Sequence, residues 1–236
     1  MYMKSLLNKV ILLLFPHYCL GCKKSGHILC SKCIETIPPP ERDLPRGIYA
    51  LFDYRDPLIK KALWNLKYGN VSELANIVAP QIHETILEIL FEEYALIEVK
   101  NITLIPIPTS GDKSKKRSYN HAYKIAEAVV KYQNKNNNLK WKLLDPLIKI
   151  KKTERQAMVK GRNKRIKNIE GAFSVKKEFL AVDNLGVGPL KYPQSLENSF
   201  FIIIDDITTT GASINEAMRA LKPLKPRHMF GITIAH

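Results

Sequence analysis

Two stretches of this sequence carry residue types whose chemistry packing alone does not call for. The first is Phe201–Ser213, FIIIDDITTTGAS. Its four apolar residues predict a strand buried on both faces. The adjacent carboxylates of Asp205 and Asp206 then fall at the carboxyl end of that strand, where open α/β sheets bind ligands. Thr208, Thr209, Thr210, Gly211, Ala212 and Ser213 follow as a loop of small residues opening into a helix. Such a loop turns backbone N–H groups and a helix N-terminus onto one phosphate, and threonine and serine hydroxyls add donors without bulk. Carboxylates beside a phosphate would repel it, so they should serve another part of the same ligand. Sugar hydroxyls donate to carboxylates, and a pentose 5-phosphate carries both groups.

The second stretch holds all four cysteines: Cys19-x2-Cys22, seven residues, then Cys30-x2-Cys33. Each pair can form a metal knuckle, and four thiolates suit a closed tetrahedral Zn²⁺ site of structural type. His17 and His27 lie nearby, but four sulfurs complete the shell. Gly21 is expected to permit the tight turn. Two disulfides are the alternative in an exported protein. The module has too little apolar content to fold without a metal or crosslink.

Cationic residues set up a third candidate. After Leu104–Pro108 come Lys113, Lys115, Lys116 and Arg117, close to a predicted sheet end. Cationic side chains at a sheet end can neutralise the charge of a phosphorylated ligand, with Mg²⁺ assisting, and Lys116 and above all Arg117 at a helix start are the candidates; for any single lysine a solvated loop is the better reading. Between Lys149 and Lys167 nine of nineteen residues are Lys or Arg. That segment can close over a pyrophosphate, track a nucleic-acid backbone, or serve as a solvated face. The whole chain has 37 Lys plus Arg against 22 Asp plus Glu, a formal net charge of +15. Its field attracts polyanions or phosphorylated small molecules.

Positioning these groups requires a sheet. Ile48–Tyr54 alternates as a strand. From Pro57, Leu58, Ala62, Leu63 and Leu66 have helical spacing up to Gly69, and a second helix runs from about Ser72 to Glu93. Ile102–Ile107 reads as a buried strand, followed by a basic loop from Thr109 and a helix to about Lys131. Asn134–Lys140 reads as a loop, Leu143–Lys149 as a strand, and Asp183–Ser199 as an insertion. The strand Phe200–Ile204, a helix Ser213–Leu221 and a closing strand Met229–Ile234 complete the series. Strands alternating with helices predict an α/β fold: a parallel sheet flanked by helices. The expected division is a four-cysteine zinc module over 1–37, ended by Pro38, Pro39 and Pro40, and a main domain over 38–236. No apolar run approaches the roughly 18 residues of a membrane span. Leu6, Val10, Leu13 and Leu14 predict a short amphipathic helix covering a neighbour, and Pro16 follows it without a cleavage site of signal-peptide type. A cytoplasmic protein is expected.

Phe201–Ser213 resembles the signature of type I phosphoribosyltransferases over all thirteen positions. The resemblance implies that Asp205 and Asp206 hold the ribose 2- and 3-hydroxyls, and that Thr209 to Ser213 cradle the 5-phosphate of phosphoribosyl pyrophosphate (PRPP). Some purine-salvage members place an acid at the position of Thr209; its lack here disfavours purine transfer by that route. The order of segments resembles the competence protein ComF family, which joins an N-terminal zinc module to this fold. The matching residues are Leu66-Lys67-Tyr68; a Pro-x-Pro loop leading to Arg117, Ser118, Tyr119, Asn120 and His121, where family Gly and Gln are replaced; and Gln156, Arg165, Asn168, Gly171, Ala172 and Phe173. The resemblance implies a PRPP- or ribose 5-phosphate-binding protein, possible as a Mg²⁺-dependent phosphoribosyltransferase, linked to DNA uptake in natural competence. The alternative is a non-catalytic factor that binds single-stranded DNA or DNA-uptake proteins and keeps a remnant pocket.

Overall fold

A computed structural model describes residues 18–68, 71–94, 101–109, 120–151, 161–180, 196 and 199–236. Lys113, Lys115, Lys116, Arg117, Gln156, most of the 183–199 insertion and the amphipathic segment before Pro16 lie outside the described residues.

Among the described residues, seven strands form two sheets. The larger is five-stranded and parallel throughout, in the order β1 (Ile48–Phe52), β7 (His228–Ala235), β6 (Phe200–Ile207), β2 (Ile102–Pro106), β3 (Lys142–Leu143). This is the parallel α/β architecture that the sequence predicts. Parallel pairs require crossover connections, and burial on both faces explains the apolar run Phe200–Ile204 of β6 and the largely apolar β2, in which Thr103 is also buried. The strand register brings Leu104 opposite Ile202 and Ile202 opposite Phe230.

Alternation along β6 divides the core in two. Phe200, Ile202 and Ile204 face a layer containing α2 (Pro57–Tyr68), α3 (Val71–Tyr94) and α4 (His121–Asn136). Phe201 and Ile203 face a second layer made by α6 (Ala212–Leu221) and a small antiparallel sheet of β4 (Leu147–Lys149) and β5 (Phe173–Val175). The cysteine module, with the one-turn α1 (Ser31–Ile34), packs on the first layer. Cys19, Leu29, Ile34 and Ile37 share one continuous core with Phe52, Ile59 and Leu63. Its connector is tied to the end of β1: Asp53 N donates to Pro38 O at 2.9 Å. The Arg55 guanidinium bridges Asp53 and Glu41, and Arg55 beside it holds the Asp53 carboxyl down at about 2.

The single predicted strand Leu143–Lys149 is in fact two. Pro146 has no N–H to continue a ladder, so β3 ends at Leu143 and the chain leaves to form β4. Lys176 Nζ pins the departure through the Asp145 carboxylate at 2.9 Å. The fourth helix runs past Lys131 to Asn136, because Gln133 and Asn134 bond the returning chain. Gln133 Nε2 donates to Leu139 O at 2.8 Å, and Trp141 N donates to Asn134 Oδ1 at 2.8 Å. Part of the basic stretch is also a helix, α5 (Arg162–Ile169), which buries Ile169 against the second layer.

Candidate pentose-phosphate and four-cysteine sites

β6 extends to Ile207, so Asp205 and Asp206 belong to the strand's last turn of pleat instead of following it. Their faces therefore differ. Asp205 continues the Phe201–Ile203 row toward the small sheet, and Asp206 continues the Ile202–Ile204 row toward α4. A basic side chain lies on each side. His121 Nδ1, at the start of α4, is 3.8 Å from Asp206 Oδ2. Lys149, two residues beyond the buried Leu147 on β4, lies within the field of Asp205; burial pushes its ammonium down from the ordinary lysine value, and the Asp205 charge opposes that shift. The carboxylates also brace the strand end: Asp206 N donates to Asp205 Oδ1 at 2.9 Å, and Ile207 N to Asp206 Oδ1 at 2.8 Å.

The loop that follows is closed by its own hydroxyls. Gly211 N donates to Thr208 Oγ1 at 3.1 Å, and Ala212 N to Thr210 Oγ1 at 3.4 Å. Thr208 N is held by Ala235 O at 3.0 Å. Thr208, Gly211 and Ala212 are buried, Thr210 and Ser213 half-buried, and Thr209 exposed. Gly211 sits at φ 72°, in the left-handed region, directly before α6. A Cβ there would come within 2.6 Å of Ile48 Cδ1 and 3.1 Å of Pro45 Cγ. Gly211→Ala should therefore destabilise the protein by about 1–3 kcal/mol, from left-handed strain plus a contact that must give. Urea denaturation checks this; an unchanged midpoint would mean that the turn is not held as described.

In the module, the four Sγ atoms all lie within 4.8 Å of one another, and the cysteines are not disulfide-bonded. The Cys19–Cys30 and Cys22–Cys30 sulfurs are 3.7 Å apart. Four sulfurs at about 2.3 Å from a tetrahedral zinc would be about 3.8 Å from one another, so the donor set fits such an ion. Among the described residues no histidine joins the group. Burial pushes the Cys19 thiol up, but backbone N–H groups of Cys30, Cys22 and Gly21 more than offset it and hold it at about 6. Cys33 is pushed up to about 12, first by the Cys30 sulfur beside it and then by burial. The tight turn is made by Lys23 at φ 63°, not by Gly21. Gly21 instead permits close approach: a Cβ there would lie 2.7 Å from Cys33 Sγ.

The structure thus brings together Asp205, Asp206 and the 208–213 loop, and separately the four cysteines. Lys116 and Arg117 are outside the described residues. Sequence reading counted Lys149 only among the basic stretch and His121 only within the motif. Their burial and facing depend on the β3–β4 break and on the start of α4.

These features define the class: a parallel α/β protein with paired carboxylates and a hydroxyl-rich turn at the sheet's carboxyl edge, and a four-cysteine module docked on its helical layer. The chain matches no family model. It is similar to "Competence protein ComFC" of Bacillus subtilis (strain 168), with 25% identity over 209 residues, 87% of this chain and 71% of that protein. The resemblance to the ComF family carried by the sequence motifs is upheld by that relative and by the clustered cysteines. No helix among the described residues is long and apolar enough to cross a membrane.

Proposed function

We propose that this chain is a ComF-like protein of DNA uptake in natural competence, acting in the cytoplasm, which binds PRPP or a ribose 5-phosphate group together with Mg²⁺. The similarity to a competence protein supports the process. The ligand is supported by one observation: Asp205 and Asp206 end β6 immediately before a turn that closes at left-handed Gly211 and opens into α6. In this reading the two carboxylates accept the ribose hydroxyls. The 5-phosphate takes over the loop N–H groups that Thr208 and Thr210 now hold. Lys116 and Arg117 would neutralise charge on the pyrophosphate, and Mg²⁺, if bound with it, would add to that charge stabilisation. If transfer occurs, an acceptor bonds to ribose C1 while the C1–oxygen bond to pyrophosphate breaks, the electron pair leaving with pyrophosphate. Residues 1–37 form a zinc module and 38–236 the ligand-binding domain. The four thiolates hold Zn²⁺ structurally.

Calorimetry with PRPP and Mg²⁺ tests this reading, with Asp205→Ala/Asp206→Ala as the control. Binding that the control loses supports the pocket; no binding by folded, zinc-loaded protein refutes it.

A second reading, a non-catalytic single-stranded DNA-binding factor, is favoured by a different surface. Trp64 is 63% exposed on α2, one turn from the exposed Lys60 and Lys61. Lys60 also stands over the Tyr54 ring at 5.8 Å. Cationic side chains interleaved with exposed aromatics suit a backbone-tracking, base-stacking strand. The chain's other tryptophan, Trp141, is buried. Oligo-dT should therefore quench the fluorescence of Trp64 in a salt-sensitive manner. Unchanged emission at saturating oligonucleotide would remove this surface from consideration.

A further inference from the structure

Two surfaces among the described residues combine exposed apolar side chains with charges of opposite sign. The first is the outer face of α3. This helix carries five glutamates and no Lys or Arg, in a chain of formal net charge +15. Leu74, Ile82, Ile86 and Leu90 are buried in the core. Glu84, Leu87, Glu88, Phe91 and Glu92 are left as an exposed stripe, spaced so that each has neighbours three or four residues away. Within it Leu87 is 40% and Phe91 67% exposed.

The second surface lies where α5 meets the small sheet. This helix carries Arg162, Lys164, Arg165 and Lys167 and no acidic residue. Buried Ile169 anchors it, while Ile166 is 43% exposed, one turn from exposed Arg162 and beside exposed Lys167. The end of β4 comes alongside. Ile150 N donates to Ala172 O at 2.8 Å, and Lys151 Nζ to the Glu170 carbonyl at 3.2 Å. Ile150 is 62% exposed there. Glu170 is the one acidic residue among those described between 147 and 176.

The two surfaces match in apolar character, charge sign and length: Glu84 to Glu92 and Arg162 to Ile169 each cover about 12 Å at the helical rise. They cannot meet within one chain. The buried face of α3 shares its core with Phe200, Ile202 and Ile204, and Ile169 of α5 shares its core with Phe201 and Ile203, on the opposite side of the sheet. Copies of so basic a chain repel one another on average, but that repulsion is screened beyond roughly 8 Å at physiological ionic strength. Local complementarity then decides which faces approach.

We propose that the acidic stripe of α3 docks on the basic α5–β4 surface of a second copy of this chain, with Leu87 and Phe91 set against Ile150 and Ile166. Each copy uses one face and still offers the other, so the contact is head-to-tail and admits further copies. Two short helices make a small interface, so the association is weak and depends on concentration. An anionic lipid or nucleic-acid surface would suit α5 but is repelled by Glu84, Glu88 and Glu92.

Sedimentation velocity of the full zinc-loaded chain, from micromolar to millimolar concentration, tests this. The mass of the wild-type species should rise past that of a dimer. Leu87→Ser/Phe91→Ser and Ile150→Ser/Ile166→Ser alter only exposed side chains; each should keep the wild-type circular dichroism and stay monomeric alone. An equimolar mixture of the two should reach twice the monomer mass and no more, because one intact face of each kind remains. A wild-type chain that stays monomeric would overturn the proposal and leave these faces to a different protein. Association that survives either double variant, or a mixture that stays monomeric, would overturn it as well. A wild-type dimer that never grows would replace the head-to-tail contact with a symmetric one.

Discussion

Asp205→Ala/Asp206→Ala should bind PRPP at least 100-fold more weakly than the wild-type chain while keeping its fold. Each carboxylate in the proposed complex accepts charge-assisted hydrogen bonds from ribose hydroxyls, worth about 1.5–3 kcal/mol apiece. Losing two such contacts costs about 3–6 kcal/mol, and 2.7 kcal/mol is already about 100-fold. The control is informative because simple electrostatics points the other way. The substitutions remove two negative charges from a chain that already stands at +15, so general attraction to an anionic ligand rises. Weaker binding then reports hydroxyl recognition and not charge. Affinity for single-stranded DNA should stay nearly constant, since its proposed surface on α2 is elsewhere. PRPP affinity within about threefold of wild type would refute the assignment. An equal collapse of DNA affinity in folded protein would refute the separation of the two surfaces.

Cys19→Ser/Cys22→Ser should release the metal and unfold more than the knuckle itself. Apparent metal-binding energies of structural zinc sites reach about 10–16 kcal/mol and are spent on folding. Here the module is not a separate appendage in its packing, because Leu29, Ile34 and Ile37 are buried in the same core as Phe52, Ile59 and Leu63. Each such side chain contributes about 1.5–3 kcal/mol by burial. The expected result is loss of stoichiometric zinc by elemental analysis and a clear fall in the thermal midpoint of the whole chain. Stoichiometric zinc in the variant would point to a different ligand set. Zinc loss with an unchanged midpoint would show that the module's core contacts stabilise nothing beyond itself.

The sheet and its loop were legible in the sequence because one constraint acts on each residue there. The run Phe200–Ile204 must be apolar to lie buried on both faces, and Gly211 must be glycine to take a left-handed turn against Ile48 and Pro45. The cysteine spacing was equally plain. Three features were not legible, because they depend on tertiary placement. Apolar content alone did not show that Pro146 splits Leu143–Lys149 between two sheets. Lys149 reads like its basic neighbours until β4 buries it within the field of Asp205. Gly21 suggested a turn, whereas its function is to leave room for the Cys33 sulfur. The opposed facing of Asp205 and Asp206 follows from strand alternation, but only once β6 is known to continue to Ile207.

The strand order carries a consequence for how the chain is made. β1 bonds within the sheet only to β7, and Thr233 Oγ1 reaches the Tyr49 carbonyl across 184 residues of sequence. During synthesis, β1 and the cysteine module attached to it leave the ribosome long before their partner strand exists. Nothing in the parallel sheet can hold them until His228–Ala235 has emerged and slotted between β1 and β6. Closure is thus delayed until β7 has been made, and contacts of this sequence separation make it slow. A metal bound early at the four cysteines would keep the leading segment compact through that wait, when its apolar face is otherwise exposed to aggregation.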